Sequence, residues 1–218
     1  MTTEKESLKH LFYILTLFVL FTVYGHGQTS VKKIDPTKLP KGINYEGKIK
    51  NAVQWIDSLG ENIVIVSETG VHKSKKFKHE SDGRDAELFA YHYLIKGDTA
   101  LQTWRVYDFI SDCPLDIEAQ FIKNSLQITD LNKDGVSEVW IMYKTVCHGD
   151  VSPFSMKIIM YEGNRKYAIR GHNKVQISDK EFYGGDYKFD KEFIDAPQEF
   201  LEFAKKLWSK NIIQKWEE

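Results

Sequence analysis

The densest run of hard oxygen donors in this chain is Asp130-Leu131-Asn132-Lys133-Asp134-Gly135-Val136-Ser137-Glu138. Side-chain oxygens fall at loop positions one, three, five and nine, a glycine falls at six, and the backbone carbonyl of Val136 falls at seven. Calcium takes six to eight oxygen ligands from a tight loop, and this spacing wraps them around one ion. Gly135 permits the sharp turn after Asp134. Carboxylates this close repel one another unless a cation lies between them. The expected ligand set is therefore Asp130, Asn132, Asp134, Glu138 and the Val136 carbonyl, holding a structural Ca2+. Asp, Asn and Gly also favour tight turns with no ion bound, which is the plainer reading of the same residues. Position twelve is Ile141 rather than a bidentate glutamate. The affinity expected is thus the weak extracellular class, roughly 10⁻⁴ to 10⁻³ M.

A second group surrounds the cysteines. Cys113 and Cys147 are the two cysteines of the chain, and an even count favours a disulfide in an exported protein. That bond would draw the polar stretch 145–154 towards Asp112 and Asp116. His148 and Asp150 are then weak candidates for an acid/base pair, or for part of a glycosidase-like carboxylate site. A polar loop pinned by the disulfide explains the same residues without catalysis. A Cys147–His148 nucleophile pair is disfavoured, because adjacent strand residues face opposite sides. His92 sits among aromatics and reads as a packing histidine, and the basic segment 72–79 reads as a solvated loop. The chain has no HExxH, GxSxG, Gly-rich phosphate loop or CxxC.

These groups need a compartment. Residues 1–10 are polar and carry Lys5 and Lys9, residues 11–24 are almost purely apolar, and Gly25-His26-Gly27 follows. This is the layout of a secretory signal, expected over residues 1–27, with the mature chain starting near Gln28. The apolar run is shorter than the ~20 residues of a spanning helix, although an uncleaved anchor is the alternative. No cysteine near the cleavage point offers a lipid attachment site there. The remainder has no comparable apolar run, so no stable transmembrane segment is expected after cleavage. A periplasmic or extracellular location follows. With 42% hydrophobic residues, 28% charged residues and a net charge of -1, the composition supports a sizeable core and does not call for nucleic acid.

The elements that would position the groups are mostly strands. Residues 28–50, broken by Pro36, Pro40, Gly42 and Gly47, read as an extended lead-in to a single β-rich domain over 51–218. A turn is expected over 58–62, before the β-branched run 63–66. Residues 87–95 and 101–110 form a hairpin, 115–122 alternates as a half-buried strand, and strands at 125–129 and 136–146 flank the oxygen-rich loop. A further hairpin turns at Gly163-Asn164. At the C-terminus Asp195 is the expected N-cap of a helix, with Pro197 in the first turn. Phe200, Ala204, Leu207, Trp208 and Ile212 form its apolar stripe. The expected fold is mainly β (α+β): an antiparallel sheet of hairpins with a C-terminal amphipathic helix packed on it.

The 130–138 loop, flanked by strands, resembles the calcium loops of integrin-type β repeats. The runs at 128–140, 142–153 and 156–163 are similar to a little-characterised family of exported bacterial proteins associated with surface polysaccharide (lipopolysaccharide) biosynthesis. The resemblance implies the cell envelope of a Gram-negative bacterium, with envelope glycan or envelope proteins as partners, and transfers no catalytic residue. The leading expectation is a non-enzymatic envelope protein that supports surface polysaccharide biosynthesis or binds glycan. The alternatives are a periplasmic hydrolase using His148 and Asp150, and a secreted adhesion or inhibitor module.

Overall fold

Hairpin logic accounts for most of the chain. The computed structural model describes residues 30–213. The expected export signal lies outside the described residues. In order, the strands are β1 (Lys32–Lys33), β2 (Lys48–Asp57), β3 (Gly60–His72), β4 (Arg84–Lys96), β5 (Thr99–Cys113), β6 (Ile117–Phe121), β7 (Gln127–Thr129), β8 (Glu138–Cys147), β9 (Ser155–Glu162), β10 (Arg165–His172), β11 (Lys174–Gln176), β12 (Phe182–Gly184) and β13 (Tyr187–Phe189). A short helix α1 (Lys191–Ile194) and a longer helix α2 (Gln198–Asn211) follow.

Among the described residues the strands sort into two principal antiparallel sheets. The first runs β1-β2-β3-β4-β5, and the second runs β13-β10-β9-β8-β6 with β7 also paired to β8. Their inner faces share one core, with Trp55, Val64, Val66, Leu88 and Trp104 from the first sheet and Val139, Ile141, Tyr143, Ile159 and Tyr161 from the second. The stripe of α2 closes the outer face of the second sheet, where Phe200, Ala204, Leu207 and Trp208 pack with Trp140, Met142, Ile158 and Tyr167. The mainly β fold with a C-terminal helix packed on it is therefore present.

Part of the outer face of the first sheet, over β3 and β4, is covered too. Ile34, Leu39 and Ile43 of the lead-in pack over Ile63, Ile65, Phe89, Tyr91 and Tyr93. This explains why Ile63 to Ser67 is buried at every position. A strand covered on both faces reads as an unbroken apolar run.

Two local expectations are corrected. The turn before β3 is confined to Ser58 and Leu59, because Asn62 enters the ladder and is buried. Its Nδ2 donates to Asp57 Oδ1 and to the Gly60 carbonyl. Asp195 does not cap the long helix. Asp190 caps α1 by accepting from Phe193 N at 3.1 Å, Asp195 closes that helix, and α2 starts after Pro197 with no side-chain cap.

Cys113 and Cys147 are bonded, with Cα atoms 5.8 Å apart. One ends β5 in the first sheet and the other ends β8 in the second, so the bond ties the layers together. With the cysteines 34 positions apart in sequence, chain-entropy arguments give about 3–4 kcal/mol of stabilisation. The double change Cys113→Ser with Cys147→Ser is expected to lower unfolding free energy by that amount in urea titrations. An unchanged midpoint would show that the bond constrains nothing.

Candidate functional site

The oxygen-rich loop lies between β7 and β8, at the end of β8 away from the disulfide. It is wound by its own side chains. Asp130 Oδ2 accepts from Gly135 N at 3.2 Å, Asn132 Oδ1 from Asp134 N at 3.2 Å, and Asp134 Oδ1 from Val136 N at 2.8 Å. Lys133 and Gly135 both have positive φ, which the glycine adopts without a steric cost. The β2–β3 turn docks here: Ser58 N donates to the Gly135 carbonyl and Ser137 N to Asp57 Oδ2.

Glu138 behaves differently from the other expected ligands. It is fully buried, and its carboxylate accepts from Thr129 Oγ1 at 2.6 Å and from Leu131 N at 3.0 Å. Directly opposite it in the ladder stands Glu162, which sequence reasoning missed. Asn132 Nδ2 bridges to Glu162 Oε1 at 2.7 Å and to Asp134 Oδ2 at 3.1 Å. Burial pushes the Glu138 carboxyl above its ordinary range, and the charge of Asp130 adds to the shift. Burial likewise raises Glu162, helped by Asp134. Among the described residues no lysine, arginine or histidine forms a salt bridge with Asp130, Asp134, Glu138 or Glu162. Asp130 Oδ1 is buried with no hydrogen-bond partner.

The described residues contain no ready-made cluster of three His, Cys, Asp or Glu side chains at metal-binding separation. The donor chemistry nonetheless suits a hard cation, because the loop gathers oxygen acceptors, one of them buried without a donor, and its acids form no salt bridge among the described residues. Asp130, Asn132, Asp134 and the Val136 carbonyl would hold the ion from the loop. Glu138 would contribute only by releasing its present hydrogen bonds.

At the other end of β8, His148 and Asp150 do come together. His148 Nδ1 lies 3.1 Å from Asp150 Oδ1 and 3.0 Å from the Asp150 carbonyl. The pair borders a groove of about 360 Å³, lined also by Arg84, Asp116, Glu118 and Phe154. Glu118 is paired with Lys144 at 2.7 Å, and Arg84 donates to the Leu115 carbonyl. Asp150 caps a turn by accepting from Ser152 N, which is the main reason its carboxyl is held low. The other ring nitrogen of His148, Nε2, is buried and has no hydrogen-bond partner.

Asp112 does not join this group. Its carboxylate turns to the 80–83 segment and accepts from the backbone N–H groups of Glu80, Ser81 and Gly83. The Glu80 and Ser81 bonds lead in lowering its pKa to about 2. The basic segment is likewise tied down. Lys76 bridges Glu46 and Glu87, His72 faces Glu87, and His79 faces the fully buried Asp85. His92 is a core histidine, stacked on Trp104 and bonded to Thr103 and Asn62, with burial lowering its pKa to about 4.

The solvent face of the β4–β5 hairpin carries a row of rings absent from the expected site. Phe77 stacks on Phe109 at 4.7 Å, Phe109 on Tyr107 at 5.4 Å, and Tyr107 on Phe89 at 5.1 Å. Tyr107 and Phe109 remain 39% and 40% exposed. Arg105 lies 5.0 Å from the Tyr107 ring centre and pairs with Glu46, while Tyr107 donates its hydroxyl proton to Glu87. The signal was the alternation Arg105, Tyr107, Phe109 on β5, which marks one face but not whether that face stays open.

No protein-family model, curated protein or solved structure matches the chain.

Glu162→Gln is expected to raise the melting temperature of the chelator-treated protein at neutral pH. A carboxyl whose folded pKa is raised contributes stability below its unfolded pKa and loses it as pH rises through the folded value. The advantage of the variant should therefore shrink as pH falls towards the usual glutamate range. Melting curves of both proteins from about pH 4.5 to 7.5 check this, and a difference independent of pH contradicts it.

Proposed function

We propose that this chain is an exported, non-catalytic glycan-binding module of the bacterial cell envelope, acting in support of surface polysaccharide production, with calcium bound at the 130–138 loop as a structural ion. The observation that carries the glycan reading is the row of Phe77, Phe109 and Tyr107 beside Arg105, Glu46 and Lys76. Flat rings offer stacking surface for the C–H faces of a sugar, and the neighbouring charged groups can bond its hydroxyls. The disulfide supports an oxidising compartment. The burial of His148 Nε2 supports a non-catalytic role, since a general base must reach the proton that it abstracts.

The second reading is a periplasmic hydrolase, favoured by the His148–Asp150 pair beside a groove shared with Asp116 and Glu118. His148→Ala separates the two. The glycan-binding reading expects unchanged binding and cellular function, whereas loss of function in a folded variant supports the hydrolase.

Tyr107→Ala with Phe109→Ala is expected to weaken binding to immobilised lipopolysaccharide and capsular polysaccharide at least tenfold, with the circular dichroism spectrum retained. Unchanged retention by the folded variant removes the aromatic row from the account. For the ion, calcium at about ten times its Kd should stabilise the fold by about 1.4 kcal/mol. Asp134→Ala should abolish that gain, and the absence of any calcium-dependent shift in the parent contradicts the metal.

A further inference from the structure

A third region lies where the edges of the two sheets diverge. The strand beside β8 changes from β6, paired with residues 143–147, to β7, paired with 138–140. Residues 122–126 bridge the gap as a loop stapled to β8, with Ile122 N and Ser125 Oγ both donating to the Met142 carbonyl. Facing it, β2 has a bulge between Ile49 and Asn51. A bulge turns successive side chains towards one side, and Lys50 and Asn51 both line the opening.

The resulting cavity is about 410 Å³, within the range of small-ligand sites. Its apolar side includes Val66, Ile122 and Met142. Its charged groups are Lys33, Lys50, Lys123 and Glu68. Glu68 is spent within the protein: its nearly buried carboxylate accepts from Phe121 N at 2.7 Å and pairs with Lys50 at 3.2 Å. Three lysines against one glutamate leave the cavity positive, in a chain whose net charge is -1. Gln120, Asn51 and Asn124 add amide donors and acceptors. Partly enclosed positive charge above an apolar wall selects an anionic ligand of small size, because the low-dielectric wall limits screening.

We infer that this cavity binds the anionic group, carboxylate or phosphate, of an acidic sugar unit. The inference rests on the glycan reading above and adds which glycans are chosen. The aromatic row lies on the outer face of the first sheet and the cavity on its inner side, so the two are separate contacts: the row takes any sugar unit, and the lysine cavity takes charged ones.

The test is titration calorimetry of the disulfide-bonded protein with three oligosaccharides of equal length: neutral, uronic-acid-containing and phosphorylated. At low salt at least one acidic arm should bind tenfold or more tightly than the neutral one, and the stronger arm identifies carboxylate or phosphate. Lys33→Ala with Lys123→Ala keeps the Lys50–Glu68 pair and should erase that preference while leaving neutral binding intact. Tyr107→Ala should weaken binding of the neutral arm and keep the acidic preference. Equal affinity for neutral and acidic arms, or a preference that survives the double lysine change, overturns the inference alone. Absence of binding to all three overturns it together with the glycan reading.

Discussion

Everything else in this structure depends on burying the inner faces of two sheets against each other. Trp104 from the first sheet stacks on Tyr161 from the second at 4.3 Å, within a shared apolar layer. Each large side chain removed from water there contributes about 1.5–3 kcal/mol. That force is non-directional and does not by itself set how the layers sit. Directional contacts at the two ends of β8 do. At one end the disulfide joins β8 to β5, and at the other the oxygen-rich loop receives the β2–β3 turn through Ser58, Asp57 and Ser137.

The handling of buried acid separates the loop from the rest of the molecule. Asp85, Glu87 and Glu68 are all buried, and each faces a histidine or lysine as well as hydrogen-bond donors. Burial without such partners is costly, so this pairing is the ordinary solution. Glu138 and Glu162 stand opposite each other with neutral donors only, beside Asp130 and Asp134. Like charges directly opposite in a ladder destabilise it. That opposition sets the loop acids apart from the ion-paired acids elsewhere in the molecule.

Much of this was legible in the residues. Alternation and turn residues located the hairpins, and the stripe Phe200, Ala204, Leu207, Trp208 marked the helix face that packs on the second sheet. The cysteine pairing followed from an even count and the expectation of export. Less legible were features set by register and long-range packing. Glu162 becomes part of the acidic group only because β9 pairs with β8 in one register. Asp112 leaves the His148 region because backbone N–H groups of the 80–83 segment claim its carboxylate, and no local pattern encodes that choice. Asp195 has the residue type of an N-cap, yet Asp190 and Phe193 nucleate a short helix first, and the long helix begins later. The lead-in carries Ile34, Leu39 and Ile43 at irregular spacing, so its role as a cover is visible only once the outer face beneath it exists.

The most direct measurement is amide hydrogen exchange along β8, recorded for the oxidised protein with calcium, the reduced protein with calcium, and the oxidised protein with chelator. Two independent fasteners should produce opposite patterns. Reduction should deprotect the Cys147 end and its partners in β6 while the Glu138 end stays protected, and chelation should deprotect the Glu138 end and β7 while the Cys147 end stays protected. Loss of protection that is uniform along β8 in both conditions, or no change with chelator, would contradict the picture of a sandwich pinned separately at each end.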